Sequence, residues 1–174
     1  MAYIPVRQSD RERWVVSGVR MWTWVVVGAC AGVVVVPGAA VAAPAPTPEA
    51  DLAFHGTVVM EGDRVVVKLV PRDNGPAAVT GATVRLRWSV ALVEAQQLPA
   101  RCAREDERTV VCGTGALAVH GVGRRLTVPV RLKGRPSEVT LETDTAWGGG
   151  AIDKNRANDR LKVLVLNTGD AYAF

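Results

Sequence analysis

The sequence predicts an all-β protein in which two sheets pack face to face, and three observations carry that prediction. Apolar and polar residues alternate with period two through most of the chain beyond residue 50. The alternating runs are interrupted at short, regular spacing by Gly, Pro, Asn and Asp, the residues that supply turns. No stretch beyond residue 50 sustains a 3.6-residue period, and Val90 to Gln97 (VALVEAQQ) is the one short helix candidate.

About seven strands follow in order. Leu52, Phe54 and Val58 open the first, which ends at Glu61-Gly62-Asp63. Val65, Val67 and Leu69 then alternate with Val66, Lys68 and Val70, until Pro71-Arg72-Asp73-Asn74-Gly75-Pro76 is expected to force a turn. Val84, Leu86, Trp88 and Val90 point inward in the next strand, with Arg85, Arg87 and Ser89 outward, and Trp88 is the expected core aromatic. Thr109 to Cys112 makes a short strand. Leu126, Val128, Val130 and Leu132 alternate with Thr127, Pro129, Arg131 and Lys133; because Pro129 cannot donate to a ladder, this strand belongs at an edge or carries a bulge. Val139, Leu141 and Thr143 precede the Trp147-Gly148-Gly149-Gly150 loop, and Leu161, Val163 and Val165 make the expected last strand. Seven short strands at this spacing suit a β-sandwich.

The chain of 174 residues has room for one ordinary domain plus accessories. Residues 1–42 read as a signal peptide: a polar segment carrying Arg7, Arg11, Arg13 and Arg20, the uncharged run from Met21 to Val36, then Pro37-Gly38 and small residues. Cleavage is expected after Ala42, leaving Ala43 first; a cut after Ala43 is disfavoured by Pro44. Two alternatives stand beside it. Met21 to Ala43 is uncharged and long enough to cross about 30 Å of hydrocarbon as an uncleaved anchor. Val27-Gly28-Ala29-Cys30 loosely resembles a lipoprotein box, although apolar residues follow it. Residues 43–50 (APAPTPEA) read as a stiff Pro/Ala linker, and 51–174 as the domain. The expected location is therefore secreted or extracellular, or membrane-anchored at the surface if the segment is retained.

Beyond residue 42 there are 17 basic and 15 acidic groups, too balanced for a nucleic-acid surface. Discarding Cys30 with the signal segment leaves Cys102 and Cys112, an even count in an oxidising compartment, and a bridge between them is expected. Such a ring of 11 residues is worth about 3 kcal/mol by the chain-entropy argument. The charged run 101–108 would then be a solvated loop inside the ring, or a rigidified recognition loop.

The order Ala50-Asp51-Leu52, Glu61-Gly62-Asp63, Asn74-Gly75-Pro76, Gly81-Ala82-Thr83-Val84, Leu98-Pro99, Cys102, Cys112 and Asp153-Lys154-Asn155-Arg156-Ala157-Asn158-Asp159 resembles a known family. It is similar to the bacterial extracellular Ig-like repeat called domain of unknown function eleven, with the related bacterial cell-adhesion domain as a second likeness. The resemblance spans roughly Ala50 to Asn167 and implies an Ig-like β-sandwich. Such domains usually occur as tandem repeats in surface or secreted proteins, and the family brings no established catalytic residues.

The residues offer little for catalysis. Beyond residue 42 the only serines are Ser89 and Ser137 and the only imidazoles His55 and His120, with no G-x-S-x-G turn and no phosphate-cradling glycine loop ahead of a helix. No enzyme and no cofactor are expected. The strongest polar constellation is Asp153, Asn155, Asn158 and Asp159, a candidate calcium loop by ligand type, though Asn and Asp at this spacing also cap turns through their own backbone. Arg85, Arg87, Arg131 and Lys133 would form a basic stripe if their strands shared a sheet; cross-strand pairing with Glu138 and Glu142 is the stronger expectation. The leading functional expectation is a secreted, non-enzymatic binding or adhesion module whose partner is a protein or cell-wall polymer. The alternatives are a structural extracellular protein without a specific ligand and an enzyme inhibitor working through the 102–112 loop.

Overall fold

The computed structural model describes residues 45–174. The expected signal segment 1–42, Cys30 and the cleavage position at Ala42 and Ala43 lie outside the described residues. Within them the fold is all-β, without a helix. The strands are β1 (Glu49–Ala50), β2 (Leu52–Glu61), β3 (Arg64–Asp73), β4 (Thr83–Trp88), β5 (Cys102–Arg104), β6 (Thr109–Gly113), β7 (Leu126–Arg131), β8 (Glu138–Trp147), β9 (Ile152–Asp153), β10 (Leu161–Leu166) and β11 (Ala171–Ala173). The seven that have five or more residues are the seven that the alternation predicts.

Two antiparallel sheets, ordered β10-β8-β4-β6-β5 and β11-β2-β3-β7, share one core in the manner of a β-sandwich, and β1 and β9 add a short parallel pair. Because successive side chains of a strand point to opposite faces, each sheet sends every second residue inward. Phe54, Val58, Met60, Val65, Val67, Leu69 and Val128 from one sheet meet Val84, Leu86, Trp88, Val110, Val139, Leu141 and Val165 from the other, all essentially without solvent exposure. Each such side chain removed from water contributes about 2 kcal/mol, so the core is the main source of stability. Trp88 sits inside it, as its place in the alternation predicts.

Four expectations change. The strand before Pro71 does not stop there: β3 continues to Asp73, with ten pairs to β2 running from Glu61↔Arg64 to Leu52↔Asp73. Pro71 is tolerated because its edge faces away from β2, past the last β7 pair, Leu69↔Leu126; its carbonyl accepts from Gly123 on that side. Val90 to Gln97 is not helical. Its backbone is drawn to two neighbours instead, with Leu92 N–H donating to the Glu107 carbonyl (2.7 Å) and Val93 N–H to that of Arg131 (3.0 Å). Leu161–Leu166 is not the last strand, since β11 follows and pairs with β2, extended by mutual bonds between Gly56 and Phe174. The start of the 101–108 run is strand rather than loop, as β5 pairs with β6. Pro129 lies on β7, an edge strand, as its missing N–H requires.

Candidate functional site

The polar residues of interest gather at the two ends of β4. At its start, β1 runs into β2 through Asp51, and four residues from two distant stretches converge on that residue. The Asp51 carboxylate accepts from the side-chain amides of Asn158 (2.7 Å) and Asn155 (3.3 Å). Its carbonyl accepts from Asn74 N–H (2.7 Å), and its own N–H donates to the Asp73 carboxylate (3.3 Å). The same oxygen of Asp73 accepts from Gly75 N–H (2.9 Å), closing an Asx turn. Gly75 is required here: a Cβ on it would lie 2.4 Å from the Asp51 nitrogen and 2.6 Å from the Ala50 backbone. The Asn74-Gly75-Pro76 and Asp153–Asp159 motifs are thus neighbours in space.

Of the candidate calcium residues, Asp153 places one carboxylate oxygen on Asn155 N–H and the other on Leu52 N–H, both at 2.9 Å. Asn158 holds Asp51 and offers its carbonyl to Phe54 N–H (3.2 Å). Asp159 is fully buried, with Arg156 Nη1 2.9 Å from one carboxylate oxygen. That contact pairs the charges by distance, while neither oxygen receives a well-directed hydrogen bond. Burial pushes the Asp159 carboxyl above the ordinary Asp range, with the Thr145 hydroxyl and Arg156 pulling the other way. Among the described residues, no group of three or more His, Cys, Asp or Glu side chains is placed to hold a metal ion. What this arrangement does chemically is cap turns: the Asp51, Asp73 and Asp153 carboxylates accept from backbone N–H and Asn amide donors, while Asp73 Oδ2, Asn158 Oδ1 and both Asp159 oxygens are buried without a hydrogen-bond partner among the described residues.

At the other end of β4, β5 and β6 form a hairpin whose turn lies against Trp88, whose backbone N–H donates to the Arg108 carbonyl (2.9 Å). At the open end of the hairpin, where Cys112 pairs with Val84 near the start of β4, Cys102 and Cys112 stand directly opposite each other, their Cα atoms 4.1 Å apart and their sulfurs 2.04 Å apart, a disulfide distance. The Arg104 guanidinium reaches the carbonyls of Val93, Glu94, Leu92, Asp106 and Glu107 at 2.8–3.4 Å, tying the hairpin to the 92–94 segment. Arg85 pairs with Glu105 (2.8 Å) and Asp144 (3.3 Å). The hydrogen bond from Arg85 holds Glu105 below the usual carboxylate range, and the Arg108 backbone N–H does the same for Asp106. The charged run is therefore spent largely on the protein's own chain.

The basic residues do not line up. Arg85 and Arg87 lie on β4, while Arg131 ends β7 in the other sheet and Lys133 follows it. Arg85 faces Asp144 and Arg87 faces Glu142 in register, and Arg131 pairs with Asp63 (2.6 Å). A shallow cleft of about 380 Å³ beside Arg87, Arg108 and Lys162 also includes Glu142, which Lys162 contacts at 3.0 Å. The Ser89 hydroxyl accepts from Thr140 N–H, and His55 and His120 are both exposed on separate elements.

Asp51 and Asp73 escaped the sequence reading as site residues. An isolated Asp at a strand end carries no local pattern, and its contacts span 22 to 107 positions. The chain matches no family model, no curated protein and no solved structure.

Proposed function

We propose that the protein is a secreted, non-enzymatic module with an Ig-like β-sandwich, acting at or outside the cell surface by binding a protein or a cell-wall polymer. The observation that carries this reading is the Cys102–Cys112 pair, in register on adjacent strands at disulfide distance. Such bonds persist in oxidising compartments, which agrees with a basic, then apolar, then small-residue N-terminal segment. The resemblance to bacterial surface repeats supports the same reading at the level of analogy. Intact mass, with and without reductant, on protein from culture medium and from membranes tests it. A medium species beginning at Ala43 that gains about two mass units on reduction is expected. A full-length, membrane-only species would make the domain a tethered surface module instead.

A second reading, a structural extracellular domain without a specific ligand, is favoured by one observation: the hydrogen bonds of the Asp51 carboxylate and of the Arg104 guanidinium all go to the protein's own chain. Retention on isolated cell wall that salt disrupts supports binding, and free diffusion as an inert monomer supports the structural role.

A further inference from the structure

A sheet edge exposes unpaired N–H and C=O groups, and most proteins block it by shortness, proline, charge or a covering segment. Three of the four outer strands of the two large sheets here are blocked. β5 and β11 have three residues each. β7 carries Pro129, and beside it the Gln96 amide imitates a strand, donating to the Arg131 carbonyl (2.8 Å) and accepting from Arg131 N–H (2.9 Å). Among the described residues β10 has none of these devices. It is six residues long, LKVLVL, with one charge and no proline, and of the described strands it pairs only with β8.

The direction of its free groups follows from one bond. Asn167 N–H donates to the Ser137 carbonyl in line with the β10–β8 register, so Leu161, Val163 and Val165 bond toward β8. Lys162, Leu164 and Leu166 therefore direct their N–H and C=O groups away from the sheet, and no acceptor for these N–H groups occurs among the described residues. The same three residues lie on the solvent face, with Leu164 50% and Leu166 39% exposed.

We propose that β10 is a self-association edge, on which β10 of a second copy of this chain adds antiparallel about a two-fold axis at Leu164. The strand is complementary to itself in that register. Leu164 meets its symmetry mate, Lys162 meets Leu166 and Leu166 meets Lys162, so all three outward-bonding residues are paired and every side chain stays on its own face. A shift of two residues in either direction leaves one of the three without a strand partner. Charge agrees as well. Glu138 lies beside Leu166 in register and makes no ion pair among the described residues, so it faces the second copy's Lys162 from the far side of Leu166, while that Lys162 keeps the contact with Glu142 that it makes in its own chain. A β-strand of another protein would share the backbone bonds, but nothing on the molecule specifies its side chains. This inference does not depend on the adhesion reading.

Sedimentation and amide hydrogen exchange of the purified protein over a range of concentrations test it. Expected are a concentration-dependent dimer and protection of the Lys162, Leu164 and Leu166 amides that rises with it. Leu164→Lys, at an exposed position that leaves the β8 ladder intact, should weaken association by about tenfold or more, by setting two like charges on the axis. Lys162→Glu should also weaken it, and adding Glu138→Lys should restore it. A monomer with unprotected β10 amides at all concentrations overturns the proposal. So does a dimer that Leu164→Lys leaves unchanged, or protection independent of concentration, which would mean that the edge is covered by the chain itself.

Discussion

The two ends of β4 hold the chain by opposite means. At the end beside Trp88, where the hairpin turns, a guanidinium reaches across half-exposed backbone, and the charged groups around it face water. At the Asp51 end, buried or half-buried carboxylates accept N–H groups that have no other partner, and a glycine admits one backbone against another. The contrast teaches that the densest charge is not where the fold is most committed. A half-exposed polar contact removed is replaced by water, whereas a buried donor left alone bears its full desolvation cost.

Disruption of the buried end should have the largest effect. Asp73→Ala strands the Gly75 and Asp51 N–H groups and should cost about 3–4 kcal/mol in urea unfolding. A loss below about 1 kcal/mol would mean that the turn is held by something else. Replacing both Cys102 and Cys112 by Ala should cost about 3 kcal/mol, mainly through the unfolded state, and reductant, which should lower the wild-type unfolding midpoint, should leave the variant's unchanged. Arg104→Met keeps the stem but loses the carbonyl bonds; about 1–2 kcal/mol is expected, with faster exchange of the amides bonded around Leu92 and Val93. If exchange there stays as in the wild type, Arg104 is not the tie.

The smallest effect concerns pH and has opposite signs at the two ends. Asp159 titrates higher folded than unfolded, so the folded state holds more protons between the ordinary Asp value and the raised one. Its stabilising contribution is present in full below the ordinary value and is lost as pH rises through the raised one. Glu105 and Asp106 titrate lower when folded, so their contribution is present above the ordinary value and lost as pH falls through the lowered one. Asp159→Asn should therefore raise stability at neutral pH relative to acid. Thermal melts from pH 7 to pH 4 would show a flatter profile for the variant; an unchanged profile would mean that Asp159 is not the group responsible.

The long strands were legible because five to ten residues are enough to display a period of two. β1, β5, β9 and β11 were not, since two or three residues display none. The 90–97 segment misled for a different reason: VALVEAQQ favours a helix locally, but buried Leu92 and the carbonyls of Glu107 and Arg131 claim its backbone. At the site, the cysteine pair could be read from its count. Asp51 could not, because its partners at 73, 74, 155 and 158 come together only once β2, β3 and the 153–159 turn are in place.

The short strand β11 has a mechanical consequence. It runs antiparallel to β2 and ends with Phe174 bonded to Gly56, only a few residues from where the chain enters the sheet at Leu52. A pull applied between Glu49 and Phe174 therefore loads the β11–β2 bonds one after another from a single end, like a zipper, instead of straining them all together. Under tension this strand would peel from its Phe174 end, uncovering the β2 edge beside Gly56 while the disulfide hairpin, away from both points of pull, stays intact.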